Sequence, residues 1–402
     1  MTKKNIEVFY VALFCAVLLI IMIQTLFKPF KEHKLYGVTV ETKAPILSSG
    51  SWFSGKFQKT FATFFSERIG FRAFWVKTEN QISFSLNHRI SAKSDYTGTK
   101  IVLGKDNWLY EKSYINSYVH PCLKNGKHIE KKVKKIRQLQ DRLHEHHIGF
   151  LVVISPSKAE TYPEFIPDKY LANLSECPKN SRYFLTIKYF KKYGINYIDT
   201  QKLLLKWKKE KPYPLFAKGG AHWNYYSAFF VLQKITEALN TQIKKTIPVP
   251  VCLSVHLKDP RGTDRDLGRL INIWTEKATE APTPYPELLT VHKPSNHLPD
   301  ILVVGCSFVW TLMHYASQEH LYNHVDFLYY YRTLYTYPGK KKHVFHPGPS
   351  DLSTLLQGKD AMIIEMNITI IPYNWGTCVD DTIRCLDTSS ELILSSATQH
   401  KK

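Results

Sequence analysis

The chain has no Cys-x-x-Cys pair and no cysteine–histidine set at metal-ligand spacing, so nothing in its seven cysteines points to a metal or dithiol site. It also lacks a zinc-knuckle spacing, an arginine-rich arm and any recognisable nucleic-acid module, and nucleic acid is set aside as a partner. Acidic residues are scarce, 34 Asp+Glu against 54 Lys+Arg, which leaves a formal net charge of +20. That surplus favours anionic partners such as acidic glycans or lipid headgroups. The basic runs at 131–135, 206–211 and 340–342 read as solvated faces. Internal repeats and low-complexity blocks are absent. Long apolar runs are absent too, with one exception, Val8–Phe27, broken only by Gln24 and Thr25. About twenty such residues cross a bilayer as a helix. Lys3 and Lys4 precede the run and Lys28, Lys31 and Lys34 follow it, so flanking charge leaves the orientation open. No small-x-small cleavage site follows, and an uncleaved signal anchor is expected over a signal peptide. One span with a domain on its far side is the expectation.

The 402 residues suffice for a full core. Residues 1–28 form the expected anchor, 29–55 a polar linker, 56–385 the domain and 386–402 a polar tail. Phe57–His88 is aromatic-rich and broadly helical, too aromatic to face water all round. Ile101–Tyr110 reads as two short strands around Gly104–Asn107. Within His128–His147, the positions Ile129, Val133, Ile136, Leu139 and Leu143 make one face of a helix, and Phe150–Ile154 follows as a buried strand. Arg182–Lys192 reads as a helix and Ile195–Ile198 as a strand. Thr200 is placed to cap a helix over Gln201–Lys209, and Asn224–Asn240 is a further helix. Ile301–Val304 and Ala361–Glu365 are apolar strands. Short apolar strands alternating with helices imply an α/β fold, a mainly parallel sheet flanked by helices. Ligands of such sheets gather outside the carboxyl ends of the strands.

Two stretches carry the chemistry. In Asp300–Trp310, Gly305 permits a sharp turn after the strand, and Ser307 follows ahead of a helix over Val309–Ala316. A serine there is exposed at a strand end, beside free helix N–H groups that can hold an oxyanion. An ordinary Gly-Cys-Ser turn gives the same pattern. The second stretch is Lys218-Gly-Gly-Ala-His222-Trp-Asn224, where small residues let the backbone turn tightly and place an imidazole at a helix start, with Asn224 as cap. A serine nucleophile needs such a base; a loop histidine beside a core tryptophan is the plain alternative. Gly305, Asn224 and Asn367 are candidates for contacts to oxyanion or substrate, and Asn367 reads equally as a strand cap. Asp264-Arg265-Asp266-Leu267 lines the cleft or forms a surface salt-bridge segment. The tyrosines from 329 to 337 stack on sugars or, more simply, pack a sheet edge.

Several segments resemble the periplasmic alginate O-acetyltransferase family, whose domains are similar to SGNH hydrolases. They are Phe65-x-x-Arg68-x-x-Phe71-Arg72, then Val102-x-Gly104-Lys-Asp-x-Trp108-Leu-Tyr110, then Pro156-x-Lys158-Ala-x-x-Tyr162-Pro-Glu164. His222-Trp223-Asn224 and Gly305-x-Ser307-Phe308 complete the set, histidine motif before serine motif, over roughly residues 57–375. The resemblance implies Ser307 as the acetyl-carrying nucleophile and His222 as its base. It also implies a polysaccharide acceptor, a membrane-bound O-acyltransferase partner that delivers acetyl, and no cofactor. An inner-membrane, single-pass protein with its domain in the periplasm is the matching location.

Two positions depart from the family pattern. The aspartate expected two residues before the histidine is Gly220, so the imidazole stands in a Ser–His dyad or is oriented by another carboxylate, Asp199 and Asp300 being conceivable. The elbow's usual acidic residue is Cys306, read as a buried neighbour, with a thiol nucleophile as the lesser alternative. An exported domain offers Cys122–Cys177 and Cys378–Cys385 as one of the three pairings that four cysteines allow, with free buried cysteines as the alternative. The functions to weigh are an O-acetyltransferase, an esterase or deacetylase using the same acyl-serine, and a decayed glycan-binding component.

Overall fold

The computed structural model describes residues 3–37, 42–92, 100–123, 126–175, 179–290, 297–373 and 375–399, without the side chains of 3, 4, 349 and 389–399. The chain divides into two compact units, one of residues 1–103 with 267–278, the other of 104–266 with 279–402.

In the first unit, α1 (Lys3–Phe27) contains the apolar run; Asn5–Phe27 is long and apolar enough to cross a membrane, with mean hydropathy 2.8. The aromatic segment becomes α2 (Ser49–Phe53), α3 (Lys56–Ser66) and α4 (Arg72–Asn87). α4 holds the 267–278 segment: the buried Lys77 ammonium donates to the Ile273 carbonyl at 3.0 Å, and the Asn80 amide to the Ile271 carbonyl at 3.0 Å. A short strand, β1 (Ile101–Leu103), ends the unit's first segment.

The second unit opens with β2 (Leu109–Glu111), α5 (Lys112–Val119) and α6 (Lys127–Glu145). All five apolar positions of the α6 stripe are buried. β3 (Gly149–Ser155) follows, then the one-turn helices α7 (Lys158–Thr161) and α8 (Asp168–Leu171), α9 (Arg182–Lys192), β4 (Tyr197–Asp199), α10 (Thr200–Glu210) and α11 (Tyr225–Asn240). The cap of α10 is Asp199, whose carboxylate accepts from the Lys202 N–H at 3.0 Å, and not Thr200, whose hydroxyl is drawn inward to the Ile154 carbonyl. β5 (Val251–Lys258) and β6 (Thr283–Leu289) pair as an antiparallel hairpin that no apolar run marks in the sequence; between them in the chain, α12 (Asp266–Leu270) begins the segment that belongs to the first unit. The chain closes with β7 (Asp300–Gly305), α13 (Val309–Gln318), β8 (His324–Tyr329), β9 (Thr333–Tyr337), β10 (Lys341–Val344), α14 (Pro349–Leu356), β11 (Ala361–Asn367) and α15 (Cys378–Gln399).

Seven strands form one sheet in the order β10-β9-β8-β7-β11-β3-β4. β8, β7, β11, β3 and β4 run parallel, and β9 and β10 add an antiparallel edge. Every residue of β3 and β11 is buried, as parallel strands covered on both faces require. α6 and α11 both pack on β3, α6 also on α9 and α15, α11 also on α13. This is the expected α/β sheet flanked by helices. The register pairs Asn367 with Ser155 and Gly305 with Tyr329, so the ends of four parallel strands meet along one edge.

Two expectations change here. Cys378 and Cys385 are not joined by a disulfide, because they lie on one helix, α15. Seven residues of helix separate them by about 10 Å, beyond disulfide reach. Cys122 is disulfide-bonded, while Cys177, its expected partner, lies outside the described residues. The polar tail is helical, since α15 continues to Gln399.

Candidate functional site: a serine–histidine–aspartate cluster

β7 ends at Gly305 and α13 begins at Val309, leaving Cys306, Ser307 and Phe308 in the bend between them. This bend is held by β11. The Cys306 N–H donates to the Glu365 carboxylate at 2.7 Å, whose other oxygen accepts from the Ser155 hydroxyl. Burial raises the Glu365 carboxyl above its ordinary range, against the pull of those donors. The Gly305 carbonyl accepts the Tyr330 N–H at 2.9 Å, tying β7 to the turn after β8. Burial, with the Glu365 charge beside it, drives the Cys306 thiol well above its ordinary pKa. A thiol held protonated is a poor nucleophile, which weighs against the cysteine alternative.

Ser307 is 3% exposed and His222 2%. The Ser307 hydroxyl lies 2.7 Å from His222 Nε2. The other ring nitrogen, Nδ1, lies 2.6 Å from a carboxylate oxygen of Asp266. The second Asp266 oxygen accepts the Ala221 N–H at 2.8 Å, so the carboxylate grips both the ring and the backbone just before it. With Nδ1–H donated to Asp266, Nε2 is left as the acceptor facing the serine.

The carboxylate missing at position 220 therefore comes from a segment 44 residues downstream of the histidine. Gly220 explains the exchange. A Cβ there would fall 2.6 Å from the Thr263 carbonyl oxygen and 3.1 Å from the Asp264 backbone. The Asp266 segment occupies the space an aspartate side chain at 220 would need. Neither carboxylate suggested for the role from sequence serves it: Asp199 caps α10 and accepts from the Tyr183 hydroxyl at 2.7 Å, while Asp300 begins β7, at the far end of the strand from Ser307, and accepts from Asn323 at 2.7 Å.

The histidine loop is fastened from below by the other motif residues. The fully buried Lys158 ammonium donates to the carbonyls of Ala217, Lys218 and Gly220 at 2.8, 2.9 and 2.8 Å. It stands 4.8 Å over the Trp108 ring and 5.3 Å over that of Tyr110. Burial lowers its pKa and the Asp266 and Asp264 charges oppose that, but three accepting carbonyls need the three N–H bonds that only the ammonium has. Tyr110 donates to the Tyr162 carbonyl at 2.7 Å, and the Tyr162 hydroxyl accepts the Leu215 N–H at 2.9 Å. From above, the Trp223 indole N–H donates to the Phe308 carbonyl at 3.2 Å, and the Phe308 ring stands edge-on to His222 at 4.6 Å.

The two asparagines are engaged in structure. Asn224 caps α11, accepting the Ser227 N–H at 2.9 Å and donating to the Pro214 carbonyl at 2.7 Å. Asn367 donates to the Ser155 hydroxyl and the Pro156 carbonyl at 3.3 and 3.4 Å, while its oxygen accepts from Thr369. Tyr330, read from sequence only as part of an aromatic edge, has its hydroxyl beside Ser307, and burial raises its pKa so that it keeps its proton. Its one sequence signal is its place just past the carboxyl end of a parallel strand.

The family model for ALGX, an SGNH hydrolase-like domain of the acetyltransferase AlgX, matches residues 101–331, more than half of the chain. The chain belongs to this family. All three residues of the cluster fall inside the matched stretch, and the domain is an SGNH hydrolase-like acetyltransferase domain. No curated protein matches the chain. Among solved structures, this ALGX-family chain is similar to the O-acetyltransferase domain of Pseudomonas putida AlgJ at 15% identity and TM-score 0.43, over 70% of this chain and 98% of that one. It is also similar to Pseudomonas aeruginosa AlgX (16%, TM-score 0.47, 76% and 71%) and to Bacillus cereus PatB1 (15%, 0.40, 69% and 97%).

Beside the cluster, Asp264 is wholly buried, and neither of its carboxylate oxygens has a well-directed hydrogen bond. Burial pushes its carboxyl up to about 7, with the Asp266 charge adding to the rise. A carboxyl raised on folding favours the folded state while protonated. That stabilisation is complete below about pH 4 and is lost as pH rises through about 7, by at most about 1.4 kcal/mol per unit. Asp264→Asn is expected to raise Tm over the wild type most at pH 8, by less at pH 5, and to leave it little changed at pH 4; thermal melts at the three pH values decide this.

Proposed function

We propose that the chain is a membrane-anchored O-acetyltransferase that works through an acyl-serine on Ser307 and passes the acetyl group to a hydroxyl of an extracytoplasmic polysaccharide. The observation that carries the reading is the continuous line from Ser307 to His222 to Asp266, at 2.7 and 2.6 Å. His222 Nε2 takes the Ser307 proton as the oxygen attacks the carbonyl of an acetyl donor, and the imidazolium formed is held by Asp266. In this reading the Tyr330 hydroxyl, beside Ser307, and the Ser307 N–H serve as the oxyanion donors. As the tetrahedral adduct collapses, His222 returns the proton to the leaving group. It then takes the proton of the incoming hydroxyl, whose oxygen attacks the acyl-serine carbonyl; as that adduct collapses the bond to Ser307 breaks, His222 returns the proton to the serine oxygen, and the acetyl leaves on the acceptor.

Supply of acetyl by a membrane-bound O-acyltransferase, anchoring in an inner membrane through α1, and a periplasmic domain complete the proposal. The net charge of +20 suits an acidic glycan. An esterase would share every step but the last, with water as acceptor. A decayed site is disfavoured, because the carboxylate lacking at 220 is supplied by Asp266.

The test is intact-mass spectrometry of the full chain in detergent after exposure to a chromogenic acetyl ester. An acetyl increment that maps to Ser307, and is lost in Ser307→Ala, is the expected result. Folded wild-type protein with neither adduct nor turnover would overturn the proposal. Adding soluble acidic oligosaccharides then separates transfer from hydrolysis by the product formed.

A further inference from the structure

The aromatic helices of the first unit do not pack away as their composition suggests they should. α3 is amphipathic yet buries none of its residues. Phe57, Phe61 and Phe65 follow one another a turn apart, their rings stacked at 5.9 and 6.2 Å, and Trp52 of α2 tilts onto Phe57 at 5.9 Å. Phe53 is 88% exposed and Phe61 48%. Ser49–Ser66 contains no acidic residue, and Lys59 falls on the side of α3 opposite the phenylalanines. Soluble surfaces seldom leave so much contiguous aromatic area bare.

The position of this face is fixed by α1. The turn between α3 and α4 sits on the last turn of the apolar helix, where the Gly70 N–H donates to the Thr25 hydroxyl at 2.8 Å. A Cβ on Gly70 would meet Gln24 at 2.7 Å and the Ile21 carbonyl oxygen at 2.8 Å, so no looser fit is available. The Glu32 carboxylate accepts from both the Gln24 amide and the Phe71 N–H, at 3.1 and 3.0 Å. Beside the junction lies a cavity of about 560 Å³ whose wall includes Lys28, His33, Arg68 and Arg72. Its two carboxylates are already engaged, Glu32 as described and Glu67 by Thr42 and Arg68.

We propose that this face of the first unit lies on the bilayer surface where α1 leaves it, with Trp52, Phe53 and Phe61 inserted at the headgroup–acyl boundary. The cationic cavity takes the phosphate of an anionic lipid headgroup. Aromatic rings with lysine and arginine at the end of a spanning helix are the composition of that boundary, and an amphipathic helix lies in its plane. The inference rests on α1 being a membrane anchor.

The experiment uses the full chain in vesicles of phosphatidylethanolamine and phosphatidylglycerol, with p-benzoylphenylalanine introduced singly at Leu18, Phe53, Phe61 or Lys59. After irradiation, mass spectrometry reads what each probe has captured. Lipid adducts at Leu18, Phe53 and Phe61 with none at Lys59 are expected. Adducts at Leu18 alone, protein cross-links at Phe53 and Phe61, or equal labelling of Lys59 would overturn the surface assignment while leaving the anchor intact. No lipid at Leu18 would overturn the anchor and this inference with it. The adducts at Phe61 should be enriched in phosphatidylglycerol over its share of the vesicle. In Lys28→Glu/Arg72→Glu that enrichment should vanish; its persistence would remove the headgroup site.

Discussion

Asp266→Asn is expected to lower kcat for acetyl-ester turnover by about 10⁴-fold while KM changes little, the loss expected when a triad carboxylate becomes an amide. Both oxygens of Asp266 are in use, one on His222 Nδ1 and one on the Ala221 N–H. An asparagine can preserve one of these bonds by presenting its oxygen. If it presents that oxygen to Ala221, its NH₂ faces Nδ1 and forces the proton onto Nε2, where it can no longer accept from Ser307. The variant should fold, because the packing volume is kept, so unchanged melting together with collapsed kcat is the signature. Wild-type kcat in a folded Asp266→Asn protein would show that the carboxylate does not orient the base. Gly220→Asp is not expected to rescue the loss, since the Thr263 carbonyl stands 2.6 Å from where its Cβ would be.

The second large effect is expected at Lys158. Lys158→Met keeps most of the side-chain volume over Trp108 and Tyr110 but removes all three donors from the carbonyls of Ala217, Lys218 and Gly220. Unsatisfied buried acceptors cost roughly 1–3 kcal/mol each, so a loss on the order of 4 kcal/mol is expected. At about 2–4 °C per kcal/mol for a domain of this size, Tm should fall by roughly 10 °C. The loop concerned leads directly into His222, so ester turnover should fall well below the wild type even at temperatures where the variant is folded. Equal Tm and turnover would mean that the loop holds its shape without the ammonium.

Much of this architecture was legible in the chain. β7, β11 and β3 are continuous apolar runs, and the five-residue stripe of α6 is a plain helical period. The strands that escaped are of another kind. β9 is half-buried and β10 exposed, an antiparallel edge of tyrosines and lysines; β5 mixes polar with apolar residues, and β6, though buried at its start, is interrupted by two prolines, so no apolar run marks them. In the site, Ser307 and His222 stand out because small residues and helix starts give them local settings. In the sequence Asp266 is only one of two acidic residues in a segment that reads as cleft-lining or as a surface salt bridge; its place against a histidine 44 residues away appears only in space. Asn224 takes the capping place read for it from sequence, and Asn367 is held by Ser155, Pro156 and Thr369, because a capping amide and an oxyanion donor look alike until their partners are seen. The Cys378–Cys385 pairing fell to the helix that carries both.

The close approach of Gly220 to Thr263 bears on how such chains are sorted. A screen for the motif Asp-x-His would discard this one as a pseudoenzyme, although its negative charge has only moved to another stretch of backbone. The two positions form a linked exchange: a small residue at 220 makes room for the segment that brings Asp266, and an aspartate restored at 220 would have to evict it. Relatives that carry glycine at the first position and aspartate at the second should be grouped with active enzymes, and those with glycine alone should not.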